Sequence, residues 1–277
     1  MYIKFIKRNI SIYLKDKLGL FFSFLGMFIS LLIYLFFLRN ELVASITHYL
    51  NISKFIDCWM IGGLISIVAI TATLSPFNQM LEDKENEAIN DLMINSKIDK
   101  KKINILYILN SIVSGTISTV LFMLVCNTFL TIKYNHNFFN TNFVIIILVN
   151  FVLIVFSSEF FNLLMIFVKT TSSFSSISAI VGTLTGFFSA SYITYGDLPK
   201  AMQNVLNFWP GFKVAEITRY ELVKDINVGM TNTNNLYETL GINSNIDNAL
   251  LLTITLTIVL MVSNYVLRSR KSIIVSN

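Results

Sequence analysis

The chain has 277 residues, of which 54% are hydrophobic and only 13% are charged. Soluble domains carry about a quarter charged residues, so this composition excludes an ordinary soluble globular protein. The mean hydropathy is positive, and the net charge of +5 arises from Lys and Arg residues beside apolar segments, which is typical of membrane proteins rather than of nucleic-acid binding. We therefore expect an all-α integral membrane protein.

The first segment, residues 1–17, is basic and amphipathic. Its apolar residues, which share one helical stripe, are Tyr2, Phe5, Ile6, Ile10, Tyr13 and Leu14. This pattern predicts a helix that lies in the membrane interface, and the alternative is a basic flank that only sets the topology. The apolar run that follows is too long for the core of a signal peptide and has no small-residue cleavage site, so we expect it to remain as a span.

Six segments have the roughly 20 apolar residues that a helix needs to cross the hydrocarbon core. They are residues 18–38, 57–78, 103–132, 143–168, 174–195 and 248–267. With the N-terminus inside, most Lys and Arg residues of the short loops fall on the inner side, which predicts a multi-pass protein of the cytoplasmic membrane with both termini in the cytoplasm. The abundance of Ile, Asn and Lys favours an AT-rich genome and hence a bacterial origin.

The outer segment between the last two predicted spans, residues 196–247, is long and divided. Pro199 suits a first helical position, and apolar residues then recur at helical spacing up to Pro210. A second apolar-periodic piece covers residues 212–223. We expect two short re-entrant helices that dip into the outer leaflet or cap the bundle, followed by a polar stretch, 227–247, that is water-exposed and mobile.

Motifs for chemistry are missing from the sequence. It contains no P-loop for nucleotides, no nucleophile elbow and no metalloprotease motif. His48 and His136 fall in predicted loops, and Cys58 and Cys126 have no metal-ligand spacing and are expected to be buried apolar residues. We therefore predict that the chain is not an enzyme by itself and that it binds no cofactor or metal.

Polar residues inside the predicted spans are the candidates for a transport pathway. Glu159, in 154-IVFSSEFFNLL-164, lies near the middle of a span, and Asn162 and Asn127 are further intramembrane polar candidates. Such a carboxylate is costly in a membrane and faces the bundle interior by default. The alternative is a structural role, in which neighbours such as Ser157, Ser158 and Asn162 hold Glu159. The Ser- and Thr-rich segment 170–191 could form a dimer seam, line a cavity or pack within the chain.

The most charged run of the chain is 80-MLEDKENEAINDLMINSKIDKKKI-103, between the second and third predicted spans. Acids come first and lysines follow, and Ala88, Ile89, Leu92 and Met93 supply a short apolar edge. This pattern predicts an amphipathic helix over residues 80–97, with its lysines at the membrane surface. Such a helix can insert into a groove of a partner protein, and the alternative is a solvated hairpin.

The order of these features resembles the membrane subunit (permease) of type-2 ABC exporters, a family that includes drug, polysaccharide and antimicrobial-peptide exporters. The run 82-EDKENEAINDLMINSKIDKKKI-103 resembles the loop that follows the second span in that family. The segment 172-SSFSSISAIVGTLTGFFSASYITYGDLPKAMQNVLNFWPGFKVAEITR-219 resembles its fifth span and outer re-entrant segment. One departure is that the family usually has a glycine where Asn86 or Glu87 stands here.

The resemblance implies a specific assembly. Two permeases, identical or related, would form the pathway in the lipid bilayer, and two copies of a separate ATPase would carry the ATP and Mg²⁺. Helix 80–97 would be the coupling helix, and its contacts with the ATPase would be Glu82, Asp83, Glu85, Glu87 and Asp91. The cargo, exported from the cell, would be hydrophobic or amphipathic: a peptide, a drug-like molecule or a lipid-linked glycan. The rival hypotheses are an ATP-independent membrane enzyme and a membrane scaffold or sensor.

Overall fold

The computed structural model describes residues 8, 11, 15, 31–45, 50–90, 94, 100–137, 143–229 and 234–274. Within these ranges the regular structure is entirely helical, without any β-strand. Four helices in them are long and apolar enough to cross a membrane, namely Ile52–Glu85, Lys102–Tyr134, Phe143–Leu164 and Ile246–Leu267. The all-helical class is thus confirmed for these residues, as is the presence of several helices long and apolar enough to cross a membrane.

The helices run in a simple order. They are a π-helix (Tyr34–Leu38) that continues as α1 (Arg39–Ser45), then α2 (Ile52–Thr71), α3 (Ser75–Glu85), α4 (Lys100–Tyr134), α5 (Phe143–Leu164), α6 (Thr171–Phe188), a 3-10 helix (Tyr195–Asp197), α7 (Lys200–Phe208), α8 (Pro210–Val223), α9 (Asn234–Leu240) and α10 (Ile246–Ile274). Helix α2 is the centre of the bundle, because α4, α5, α6 and α8 all pack against it. Its residues from Phe55 to Thr71 are buried.

Helices α2 and α3 form one long rod that is interrupted by a turn at residues 72–74. Pro76 stands in the first turn of α3, where a missing backbone N–H costs nothing. The Ser111 hydroxyl of α4 donates to the Thr73 carbonyl over 2.8 Å, so the turn is bonded to the neighbouring helix. The observed rod, Ile52–Glu85, therefore begins earlier and ends later than the predicted second span, 57–78.

The six predicted spans agree with the observed helices to different degrees. The segments 103–132, 143–168 and 248–267 coincide with α4, α5 and α10, apart from their ends. Of the segment 18–38 only residues 31–38 are described, and there the helix continues to Ser45. For the segment 174–195 the predicted end is wrong, because α6 stops at Phe188. Helix α6 is also dense in Ser and Thr, and for this reason it is not among the four strongly apolar helices. Within the described residues, the count of six spans is therefore not reproduced.

The two short helices expected after α6 are present as α7 and α8, but α8 is deeper than a surface cap. It runs antiparallel to α2, with Gly211 against Ile70 and Arg219 against Gly62. A Cβ at Gly62 would lie only 2.9 Å from the Arg219 Cα, so a glycine is needed for the two backbones to approach this closely. Helix α8 is consequently buried along most of its length.

The polar stretch 227–247 differs from its prediction. Within it, α9 packs on the start of α2: the Trp59 indole donates to the Leu240 carbonyl over 2.7 Å, and the rings of Phe55 and Tyr237 stack at 6.1 Å. Leu236 and Leu240 are buried in the same apolar cluster. The expectation of a water-exposed segment is therefore wrong for these residues, because two leucines four positions apart give a short helix an apolar face.

Candidate functional site

The α2–α3 rod carries a buried aspartate near each end, and Asp83 lies at the end that holds the acidic run. Its carboxylate accepts two hydrogen bonds of 3.1 Å from the two terminal guanidinium nitrogens of Arg8. The Tyr107 hydroxyl of α4 and the Gln79 amide, at 2.9 Å, also donate to it. The hydrogen bond with Asp83 raises the pKa of Arg8. Asp83 therefore joins α3 to α4 and to the N-terminal segment.

Glu85 makes a second connection at this end of the molecule. Its carboxylate accepts the backbone N–H and the hydroxyl of Thr171, over 2.8 and 2.9 Å. Thr171 is the first residue of α6, where a carboxylate satisfies an otherwise unbonded N–H and interacts favourably with the helix dipole. Glu82 accepts a hydrogen bond of 2.7 Å from Asn78 on its own helix.

These contacts correct the predicted role of the acidic run. A single helix over 80–97 is wrong, because α3 ends at Glu85 and residues 86–87 form a turn in which Glu87 has a left-handed φ of 57°. Asp83 is buried, and Glu85 is exposed but bonded to Thr171 of its own chain, whereas Glu87 is an exposed acid beyond the helix. Part of the expected apolar edge is also used internally, since Ile89 packs against the start of α4. Asp91 lies outside the described residues.

The opposite end of the rod holds a denser cluster around Asp57. Arg39 donates from Nε over 2.9 Å, Lys133 from Nζ over 2.8 Å, and Tyr134 from its hydroxyl over 2.6 Å. The Tyr34 hydroxyl donates to the same carboxylate. The cluster thus combines one anion with two cations. It joins four elements, namely the π-helix, α1, α2 and the end of α4.

The π-helix explains how Tyr34 and Arg39 reach the same carboxylate. The Arg39 N–H bonds to the Tyr34 carbonyl, which is the i to i+5 pattern of a π-helix. In an α-helix residues five apart point in different directions, whereas the wider π turn brings them towards one face. Single π turns of this kind often occur at functional sites.

The intramembrane acid Glu159 is held by the last span. The Asn264 amide of α10 donates to its carboxylate over 2.8 Å and to its backbone carbonyl over 3.0 Å. Glu159 is therefore fixed at the interface between α5 and α10, and the polar partner is Asn264 rather than the adjacent serines. Asn162 and Asn127 are buried, on α5 and α4 respectively. Asn162 lies three residues beyond Glu159 on the same helix, whereas Asn127 lies on a different one.

A fully buried cation, Arg219, lies on α8 in the middle of the bundle. Its Nη2 donates to the carbonyls of Ser189 and Ala190 and to the Ser191 hydroxyl, over 2.8, 3.1 and 3.1 Å. Its guanidinium carbon lies 4.7 Å from the centre of the Trp59 ring. This side chain links α8 to α2 and to the turn that follows α6.

Metal and thiol chemistry find no support in the described residues. No group of three or more His, Cys, Asp or Glu residues there is arranged to hold a metal ion. Cys58 and Cys126 are free thiols and both are buried, as expected. Among the known proteins compared with this sequence, no family profile matches it and no curated protein is significantly similar to it.

Sequence reasoning missed Asp57 and Arg219 as candidates. Asp57 is the first residue of a predicted span, flanked by Ile56 and Cys58, and an acid at that position between apolar neighbours was the available signal. Arg219 lies in a segment expected to be amphipathic, where a charged residue is ordinary. Its burial becomes visible only when α8 is placed against the glycines of α2.

Proposed function

We propose that this chain is the permease subunit of an ATP-driven ABC exporter, with energy supplied by a separate ATPase. In this proposal the Asp83 end of the bundle faces the cytosol, both termini are cytoplasmic, and the Asp57 end faces outward. The cargo is hydrophobic or amphipathic and moves out of the cell. Two ATPase copies bind beneath two permeases, identical or related.

The observation that carries the proposal is the way in which the acidic run is bonded to the bundle. Asp83 connects it to Arg8 and Tyr107, and Glu85 connects it to Thr171. A displacement of this loop therefore reaches the N-terminal segment, α4 and α6 through direct contacts, because packed elements move as rigid bodies rather than deform continuously. A solvated hairpin requires no such connections.

The roles of the acids divide accordingly. We assign contact with the ATPase to Glu87, which is exposed, and to Glu82, which is partly exposed. Asp83 and Glu85 are positioning residues that transmit the motion to the spans. The left-handed φ of Glu87 also supports the resemblance, because glycine, which the family usually has at this place, adopts that conformation without strain.

The exposed face of α6 supports the presence of a second permease. Its outward side chains include Ser172, Ser176, Ala179 and Thr183, which follow one another at helical spacing. Small residues allow helices to approach closely in a membrane, and hydroxyl groups suit another helix or a polar cargo better than lipid. We assign this face to the partner permease or to the pathway between the two.

The test is affinity purification of the tagged chain from its native membranes, followed by reconstitution and measurement of ATP hydrolysis. The wild-type chain should co-purify with a P-loop ATPase. Glu87→Lys should lose most of the ATPase, whereas Asp83→Asn should retain it but lose cargo export. Glu238→Lys reverses an exposed acid on α9 and should change neither property. A wild-type chain that captures no ATPase, or a Glu87→Lys chain that captures it fully, would contradict the proposal.

A further inference from the structure

Arg219 carries a positive charge in the bundle interior, and no carboxylate in the described part of the chain contacts it directly. Its side chain is 0% exposed, which is exceptional for an arginine. The nitrogens Nε and Nη1 are buried and have no hydrogen-bond partner within the described part of the chain. A buried cation without a paired anion is costly, and in a membrane protein it marks a functional site by default.

The neighbouring charges on α8 are already paired with one another. Lys213 contacts Glu216 over 2.8 Å, and Lys224 contacts Glu221 over 2.6 Å. The helix therefore has two internal acid–base pairs. Glu216 also attracts Arg219 through space, but neither carboxylate of α8 bonds to the guanidinium.

The contacts that Arg219 does make are only a partial substitute for an anion. Three oxygens of the turn at residues 189–191 bond to one nitrogen, Nη2. The Trp59 ring offers a cation–π contact, which stabilises a charge less than a bonded anion does. A phosphate or carboxylate is the group that guanidinium donors match best.

The turn that closes over Arg219 is strained. Ala190 has a φ of 50°, a left-handed conformation that alanine rarely adopts. Such residues cluster at ligand clamps and switch regions, where the surrounding structure holds them in place. A relaxation of Ala190 would withdraw the oxygens from Nη2 and open a route to the guanidinium.

The depth of Arg219 suits a molecule with an apolar tail. Arg219 meets α2 at Gly62 and Gly63, which lie five and six residues beyond Asp57, or about 8 Å further into the bundle. A free hydrophilic anion has no favourable path to this level, whereas the headgroup of an amphiphile can reach it while its tail remains in apolar surroundings.

We propose that Arg219 binds the anionic headgroup, a phosphate or a carboxylate, of an amphipathic cargo. That the bound molecule is cargo rests on the proposed exporter function, whereas the binding itself does not. The proposal narrows the cargo to anionic amphiphiles such as lipid-linked phosphates. Among the cargo classes considered above, it disfavours cationic peptides, which the buried cation would repel.

Tryptophan fluorescence provides a direct test, because the chain has two tryptophans, Trp59 and Trp209. In the variant Trp209→Phe, emission reports only Trp59, whose ring lies beneath the guanidinium. The purified variant in an uncharged detergent is titrated with dioctanoyl phosphatidate, with dioctanoylglycerol and with inorganic phosphate. We expect a saturable change with the phosphatidate and none at the same concentrations with the other two.

Substitutions of the arginine identify the site. Added to Trp209→Phe, Arg219→Gln should weaken phosphatidate binding at least about tenfold, and Arg219→Lys, which keeps the charge but loses the planar fork, should weaken it about threefold. Lys200→Gln removes an exposed cation at the start of α7 and should leave the affinity unchanged. Folding of each variant is judged by size exclusion and by exposure of the buried Cys58 thiol. If Arg219→Gln does not fold, the phosphatidate affinity of Arg219→Lys is the deciding measurement.

Three results would overturn the proposal: no saturable response to the phosphatidate, an equal response to dioctanoylglycerol, or unchanged affinity in the folded arginine variants. An equal response to inorganic phosphate would overturn the requirement for an apolar tail. None of these measurements involves the ATPase, so their failure is distinguishable from failure of the exporter proposal. Binding without any co-purifying ATPase would leave an anion site in a protein that is not an exporter subunit.

Discussion

The two buried aspartates of the α2–α3 rod are held in different ways. Asp57 accepts hydrogen bonds from two cations and two tyrosines, all of them on helices of the bundle. Asp83 is bonded to one cation, Arg8, whose side chain is 43% exposed. Lys133, one of the two cations of the Asp57 cluster, is almost as exposed at 39%, while the other, Arg39, is 23% exposed. The Asp57 cluster thus joins several helices through two cations, whereas the Asp83 cluster joins the bundle to the N-terminal segment through one.

This difference suits opposite mechanical roles. A junction with several charged partners resists displacement, because every one of its contacts must break together. In the proposed exporter, a carboxylate with a single half-exposed cation has fewer charged contacts to break when this connection opens and closes. The comparison therefore assigns the stable reference point of the bundle to the Asp57 end and the movable connection to the Asp83 end.

Neutralising the two aspartates in turn is the strongest way to break this comparison. Asp57→Asn should lower the free energy of unfolding by about 3–5 kcal/mol, because it leaves Arg39 and Lys133 without their anion. Asp83→Asn should lower it by about 1.5–3 kcal/mol, because Arg8 can turn to water. The measurement is the thermal unfolding midpoint of each purified variant in the same detergent.

The control for both is Asp247→Asn, which neutralises an exposed acid at the start of α10 and should lower the midpoint far less, because only a favourable interaction with the helix dipole is lost. If the two buried aspartates prove equally important, or if Asp83 is the more important one, the proposed division between a fixed and a movable end is wrong. The replacement Tyr134→Phe, when compared with Tyr107→Phe, refines the result, since each removes one hydroxyl from one cluster.

The sequence predicted the long apolar helices but not these clusters. Apolar length alone identified α4, α5 and α10, because crossing a membrane imposes that length on any sequence. The partners of Asp57 lie 18, 23, 76 and 77 positions away, and no periodicity connects residues at such separations. The π-helix that aligns Tyr34 with Arg39 also has no sequence signature.

The acidic run shows how composition can mislead about exposure. Its acids were expected to contact a partner because the run resembles the loop that follows the second span in type-2 ABC exporters. Asp83 and Glu85 instead face their own chain, and Arg8 and Thr171, which hold them, are 75 and 86 positions away. Of the described acids in this run, Asp83 alone is buried, and Glu85 is exposed but bonded to Thr171, whereas Glu87 is exposed and lies beyond the helix end.

A backbone substitution at Glu87 sharpens the comparison from the Asp83 end. Glu87→Gly should raise the free energy of unfolding by about 1 kcal/mol, because glycine adopts the left-handed φ of 57° without a steric penalty. Glu87→Ala is the matched control, since alanine removes the same charge but keeps the penalty and should bring no gain. Thermal midpoints of both variants distinguish the two causes, and an equal gain in both would assign the effect to charge instead.

The smallest expected effect is the pH dependence of stability that His136 causes at the Asp57 end. Burial lowers the pKa of this histidine, and repulsion from Lys54 acts in the same direction, while Asp225 and a hydrogen bond with the Leu222 backbone oppose them. Because the pKa is lower in the folded than in the unfolded state, the unfolded chain takes up the proton more readily as the pH falls below about 6.5. The stability that depends on neutral His136 is therefore complete above that pH and is lost below it.

Acidification from about pH 7.5 to pH 5.5 should accordingly lower the unfolding midpoint of the wild-type chain more than that of His136→Gln. The difference between the two slopes, rather than either slope, is the quantity to measure, because the carboxylates contribute equally to both. Parallel slopes would show that His136 is not coupled to folding. His136 lies two residues beyond Tyr134, so a steeper slope in the wild type would also show that the Asp57 end unfolds together with the whole bundle rather than fraying separately.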